Sequence, residues 1–296
     1  MRHLLEIDDL SPDELHSVLA YSQQERLEPV LTGRGVALVF EKPSARTRNS
    51  AEMAVVQLGG HPVYIQGGEL GFDTRESVED ITRTLAGYYD FVGARVFDHA
   101  TLERMEKLQV IPIVNLLSDK AHPMQALADL LTIQQELGDL SGRTLAFVGD
   151  ANNVWRSLAL AAAMAGMKTR LATPDGYGPP AADIDRIKAL GAEPLVTQSP
   201  VEAVAGADVV YTDVWASMGQ EGEFDKRKAA FAEYSVTADL MEQANPGAIF
   251  MHCLPAHRGE EVVREVVDGP QSRIWPQAEN RMHTTRGLLA WLWEQQ

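Results

Sequence analysis

Short apolar runs alternate with helical stretches along nearly the whole chain, and this alternation limits the possible folds more than any other feature. Val36 to Phe40, His61 to Ile65, Phe91 to Val96 and Val110 to Val114 have the length and apolar content of strands. Helical stretches separate them. One is opened by the capping box of Ser11 and Glu14 and runs to about Arg26. Another follows Ser44, with Met53, Val56 and Leu58 at helical spacing, and Gly59-Gly60 closes it. Two more run from Ser77 to Tyr89 and from about Thr101. Strand and helix in strict turn predict parallel sheets covered by helices.

Pro123 opens a strong helical pattern through Met124, Leu127, Leu130, Leu131 and Ile133 that ends at Gly138, with Pro and Gly at the ends where each is favoured. This helix reads as a bridge, because the alternation then begins afresh. Strands are expected at Thr144–Val148, Thr169–Ala172, Asp208–Tyr211 and Ala248–Met251, and helices at Asn153–Ala165 and Ala182–Leu190. The fold class is therefore α/β with two domains, each a parallel sheet flanked by helices. Residues 1–137 form the first and 138–278 the second. The last helix, 279–296, is apolar at Leu288, Leu289, Trp291 and Leu292, so it is expected to pack back on the first domain. Gln66 to Arg75 and Gly219 to Lys228 read as long polar loops, both candidate mobile elements.

Composition excludes some classes of function. A net charge of −16 argues against a nucleic-acid partner, whose phosphates need basic faces. No apolar run reaches the ~18–20 residues of a membrane span, and Met1-Arg2-His3 opens no signal peptide. The single cysteine, Cys253, rules out an intramolecular disulfide and fits a reducing cytoplasm.

Against that acidic background, the basic turn after Phe40 stands out: Glu41-Lys42-Pro43-Ser44-Ala45-Arg46-Thr47-Arg48. A strand followed by a short turn and a helix start leaves backbone N–H groups unpaired and favours an anion. Ser44 and Thr47 add hydroxyls, and Arg46 and Arg48 add guanidinium forks suited to phosphate oxygens. The plainer reading is an ordinary serine cap beside two solvated arginines.

Four further constellations lie at predicted strand ends or helix starts. His122-Pro123-Met124-Gln125 places an imidazole and an amide where they could grip a carbonyl oxygen, unless His122 merely flanks the helix start. Gly149-Asp150-Ala151-Asn152-Asn153 lacks the G-x-G-x-x-G spacing of a dinucleotide loop and offers amides instead. Asp213 and Ser217 could hold an ammonium group at a strand's carboxyl end, where open α/β sheets bind ligands. Asp213 as a simple turn residue is the competing reading. His252-Cys253-Leu254-Pro255 raises zinc or a nucleophilic thiol, but no second cysteine exists to complete a soft metal site. No metal and no cofactor are expected.

Together these motifs resemble those of the carbamoyltransferases. The match runs from end to end and in order: Ser44 to Arg48, Arg95, His122 to Gln125, Asp150 to Asn153, Asp213 to Gly219, His252 to Pro255, and Asn280-Arg281. The first and third motifs are general to transcarbamylases. Asp-x-x-x-Ser-Met-Gly and His-Cys-Leu-Pro are similar to the branch that uses ornithine; an aspartate-specific relative would present basic residues where Ser217-Met218-Gly219 stands.

The resemblance implies transfer of the carbamoyl group of carbamoyl phosphate to the δ-amine of ornithine, giving citrulline and phosphate within arginine biosynthesis. It also implies a cytoplasmic homotrimer without metal or cofactor. By the same resemblance, Ser44, Ala45 (through its backbone), Arg46, Thr47, Arg95 and Arg281 would hold the phosphate. His122 would take the carbonyl oxygen and Gln125 the carbamoyl amine, with Cys253 and Leu254 lining the meeting point. Asn153, Asp213, Ser217 and Met218 would hold the amino-acid end of ornithine. Catalytic roles would fall to Arg46, Arg95, His122 and Cys253.

Two positions depart from the family pattern: Ala45 where Thr is usual, and Glu69 where a Gln is usual. For Glu69, neutralisation by Arg75 or Arg48 is expected. Rival readings are a Rossmann-type dehydrogenase, a catalytically silent homologue, and a carbamoyltransferase for putrescine or an acylated ornithine.

Overall fold

The computed structural model describes residues 1–216 and 221–296. Its chain separates into two compact units, residues 1–131 with 279–296, and residues 132–278.

The first unit opens with α1 (Pro12–Gln23), whose Ser11 and Glu14 form the reciprocal capping box read from the sequence. Strand β1 (Gly35–Phe40) leads into α2 (Ala45–Gln57), and β2 (His61–Gln66) into the short α3 (Gly67–Leu70) and α4 (Val78–Ala86). Then come β3 (Phe91–Arg95), α5 (His99–Lys107), β4 (Ile113–Leu117) and α6 (Pro123–Leu137), whose residues from Thr132 on count with the second unit. All four strands are parallel, in the order β2-β1-β3-β4. Ala37, Val39, Val92 and Ala94 from the central strands pack with Val78, Ile81 and Leu85 of α4.

The second unit contains β5 (Thr144–Val148), α7 (Asn153–Met164), β6 (Lys168–Ala172), α8 (Ala181–Ala189), β7 (Leu195–Thr197), α9 (Pro200–Val204) and β8 (Val209–Thr212). After these come α10 (Phe224–Ala230), α11 (Ala238–Met241), β9 (Ile249–His252) and α12 (Arg264–Val267). Its sheet is parallel, in the order β7-β6-β5-β8-β9. Ala146, Val210 and Phe250 of the sheet pack with Trp215, Phe231 and Val262.

The chain ends in α13 (Ile274–Glu294), most of which belongs to the first unit. It packs there closely enough that Gly287 is required: a Cβ at this position would stand 2.7 Å from the Ser22 backbone nitrogen. Arg286 donates to the Gln57 side chain at 2.9 Å, and the Trp293 ring lies 6.3 Å from that of Phe91. The α/β architecture of two parallel sheets, with the last helix packed on the first unit, is the one expected.

Several local expectations change. Helix α1 stops at Gln23, three residues before Arg26. The fourth strand begins at Ile113, because Gln109 takes a left-handed φ of 52° and Val110 is exposed. Helix α2 forms where the spacing put it; it meets the core through Ala51, Ala54 and Val55, and Met53 and Val56 lie on its exposed face. The polar stretch from Gln66 to Arg75 folds partly into α3, and the second polar stretch is helical from Phe224 to its end at Lys228, within α10. The last helix starts at Ile274, with Pro276 in its first turn, where no backbone donor is needed.

Candidate active site

In each sheet the strand order reverses once, and there the loops leaving neighbouring strands diverge. In the first sheet this occurs between β1 and β3, in the second between β5 and β8. Such a switch point leaves a crevice at the carboxyl ends of the strands, where open α/β sheets bind ligands. Ser44 to Thr47 and Arg95 lie at the first; Asn152, Asn153 and Asp213 lie at the second.

In the first unit, Ser44 caps α2, its Oγ accepting from the Thr47 N–H at 3.4 Å. The first turn of α2 carries no acidic residue, whereas α1 and α4 each carry two there. The positive end of the α2 dipole is therefore not met by a carboxylate of its own turn. Arg46 stands exposed in that turn. Arg48 does not join it: its guanidinium pairs with Glu52 at 2.8 Å and lies 3.8 Å over the Tyr64 ring.

Behind the turn, Arg281 of α13 donates to Thr47 Oγ1 at 3.4 Å and to Gln125 Oε1 at 2.5 Å. Gln125 in turn donates to the buried Asp129 at 2.8 Å. This chain fixes the amide so that its carbonyl faces the arginine. His122, just before α6, is 5% exposed. Burial, aided by the Arg281 and Arg95 charges, holds its pKa well below 6.5, so the ring is neutral at pH 7. A neutral imidazole can give one N–H to a carbonyl oxygen without placing another cation beside Arg281 and Arg95.

In the second unit, Asp213 is 6% exposed and accepts from Asn152 Nδ2 at 2.8 Å and from Cys253 Sγ at 3.0 Å. Asn152 also caps α7 through the N–H groups of Val154 and Trp155. The amide reaching Asp213 is thus Asn152, while Asn153 forms the first residue of the helix. His252 is fully buried: its Nδ1 accepts from the Leu254 N–H at 2.8 Å and its Nε2 meets Glu261 at 3.2 Å. That contact holds Leu254 in a left-handed φ of 63°, which is costly for a branched residue. Asp213, His252 and Cys253 lie close enough to share an ion, but both His252 nitrogens and the thiol are already engaged in hydrogen bonds. Ser217 and Met218 lie outside the described residues.

The comparisons with known proteins agree with this division of charge. Residues 2–135 match the aspartate/ornithine carbamoyltransferase carbamoyl-P binding domain, and residues 141–292 match the Asp/Orn binding domain of the same family. The chain belongs to the aspartate/ornithine carbamoyltransferase family. It is 44% identical to an ornithine carbamoyltransferase of Thermus thermophilus over 97% of this chain and 95% of that one. With one from Acidothermus cellulolyticus it shares 47% over 99% and 96%. The crystal structure of anabolic ornithine carbamoyltransferase from Campylobacter jejuni superposes with a TM-score of 0.95 at 32% identity, covering all of both chains.

Several contacts of this family member escaped the sequence reading: Thr47 with Arg281, Gln125 with Asp129, His252 with Glu261, and Arg227 with Asp150. Only Gln125 and Asp129 were open to detection, being four residues apart on one helix face. Glu69 is also corrected. Arg75 binds its backbone carbonyl at 2.9 Å and Arg48 binds Glu52, so neither neutralises the exposed carboxylate.

Proposed function

We infer that this protein transfers the carbamoyl group of carbamoyl phosphate to the δ-amine of L-ornithine, releasing citrulline and phosphate. The observation that carries the choice of acceptor is the charge around Asp213. A carboxylate held by Asn152 and Cys253 suits the α-ammonium of ornithine, and the nearby guanidinium of Arg227 is taken by Asp150. Aspartate would need a free cation for its second carboxylate.

We assign the phosphate to Ser44, the Ala45 backbone, Arg46, Thr47, Arg95 and Arg281. The reading is supported by the uncompensated start of α2 and by the three guanidinium groups. His122 takes the carbonyl oxygen and Gln125 the carbamoyl amine. Asn153, Asp213, Ser217 and Met218 take the amino-acid end, and Asn152 is added to them because it supports Asp213 directly. Cys253 and Leu254 line the acceptor site. The substitution at Ala45 is compatible, since a backbone N–H donates whatever side chain follows it.

The δ-amine attacks as the neutral base, the minor form of a group whose free pKa is about 10.4. A C–N bond forms and negative charge grows on the carbonyl oxygen, met by the His122 N–H and the arginines. The tetrahedral intermediate then breaks its C–O bond to phosphate, and the departing phosphate takes the amine proton and leaves as hydrogen phosphate. Cys253 forms no covalent intermediate, because its S–H donates to Asp213 and the donor substrate already carries a good leaving group. A carbamoylated Cys253 peptide found by mass spectrometry during turnover would overturn this.

A homotrimer is proposed, supported by Met53 and Val56 exposed side by side on α2; sedimentation equilibrium tests it. The single cysteine supports a cytoplasmic location. The test of function is product formation with competing acceptors. Citrulline and phosphate in equal amounts from ornithine are expected, with at most traces of product from putrescine, N-acetylornithine or aspartate. Comparable kcat/KM for any of these would displace ornithine as the acceptor.

A further inference from the structure

Asp213, just past the end of β8, lies at the carboxyl edge of the second sheet beside another carboxylate. That neighbour is Asp150, at the end of β5, and its side chain is mostly buried. Between the turns that carry them lies Arg227 of α10, itself only 7% exposed. Its Nη1 donates to Asp150 Oδ2 at 2.7 Å and to the Trp215 carbonyl at 3.1 Å. Its Nε donates to Glu223 at 3.2 Å, and its guanidinium lies 5.1 Å from the centre of the Tyr177 ring. The Tyr177 carbonyl in turn accepts from the Ala151 N–H at 3.2 Å. One side chain thus ties the turn bearing Asn152 and Asn153 to the turn bearing Asp213.

We propose that Arg227 is a positioning residue for the amino-acid acceptor: it holds both turns in register and neutralises Asp150, leaving Asp213 as the carboxylate available to the substrate's ammonium. The proposal rests on the ornithine reading given above. Asp213 faces Asn152 and Cys253, neither of them a cation, and Asp150 faces Arg227, the Ala151 N–H and Asp213. Burial pushes the Asp150 pKa up and Arg227 pulls against that rise, while the Asp213 charge adds to it. Without the guanidinium, burial and the Asp213 charge would act on Asp150 unopposed and raise its pKa further, and the site would hold the ammonium less well.

The experiment compares Arg227→Met, Arg227→Lys and the double variant Arg227→Met/Asp150→Asn in steady-state kinetics from pH 6.5 to 8.5. For Arg227→Met, the ornithine KM is expected to rise about tenfold or more at pH 7, the scale set by losing a hydrogen bond to a charged group. It should fall as pH rises more steeply than in the native enzyme, with the carbamoyl phosphate KM unchanged. The double variant should lose the added pH dependence and recover part of the ornithine affinity. Arg227→Lys keeps a buried cation but cannot reproduce the planar fork, so an ornithine KM about threefold higher is expected even if the Met variant fails to fold. Equal changes in both KM values, or an unchanged ornithine KM in Arg227→Lys, would overturn the assignment. If the native enzyme itself fails to saturate with ornithine, the acceptor reading falls; if it saturates and the variants match it, only the role of Arg227 falls.

Discussion

The two sheets place their candidate residues at the same topological point and give them opposite character. In the first unit the switch point meets the start of α2 with no acid in its first turn, two further arginines and a neutral His122. In the second it meets a buried carboxylate, Asp213, supported by an amide and a thiol. A parallel sheet supplies the crevice; the side chains at its rim decide whether an anion or an ammonium is welcome. The difference also shows how buried charge is managed. The second unit directs the buried guanidinium of Arg227 to Asp150, whereas the first directs Arg281 toward Thr47 and Gln125.

The largest test of this contrast is Arg46→Ala. Removing one charge-stabilising donor from the anion end is expected to lower turnover about a hundredfold or more. Near-native turnover at saturating substrates would remove the start of α2 from the phosphate site. Next in size is Asp213→Asn, which keeps the shape and deletes the charge of the opposite end. A hydrogen bond to a charged group is worth about 1.5–3 kcal/mol, so ornithine affinity should fall roughly ten- to a hundredfold while carbamoyl phosphate affinity holds. Calorimetry showing equal losses for both ligands would break the division between the two units.

The smallest effect concerns His122 and stability. Its folded pKa lies well below 6.5, so below pH 6.5 the unfolded chain binds a proton there that the folded chain does not. Stability therefore falls as pH drops through 6.5, by up to about 1.4 kcal/mol per pH unit from this one group. His122→Asn should flatten that part of the profile in urea unfolding between pH 6.5 and 5.5. His3 and His99, also lowered by burial, stay in both proteins and cancel in the difference. An unchanged slope would mean that His122 is already protonated, and the first unit would then hold one more cation than the contrast assumes.

Most of the architecture was legible because it rests on local rules. The caps at Ser11, Ser44 and Ser77 form within a few residues and occur as read. The central strands are near-continuous apolar runs because parallel sheets are covered on both faces. The exposed edge strand Leu195–Thr197 has no such run, and it was missed. Met53 and Val56 lie at helical spacing, as read, yet on the exposed face of α2. Helical spacing locates a face of α2 but not what covers it, and Ala51, Ala54 and Val55 form the buried one.

The sequence by itself determined the strand–helix alternation, the helix opened by Pro123 and the position of most candidate residues near a strand end or helix start, because these depend on neighbours within a turn or two; Arg281, read at a helix head, lies two turns inside α13. Only the tertiary structure decided which groups meet. Arg281 reaches Gln125 across 156 residues, Arg227 reaches Asp150 across 77, and Asn152 reaches Asp213 across 61. It turned Arg48 away to Glu52 and Tyr64 and left Glu69 without Arg75 at its carboxylate. Such pairings depend on the register of parallel strands and the packing of helices over them, and no local propensity encodes either; the same alternation of strand and helix would accommodate many other pairings of these charges.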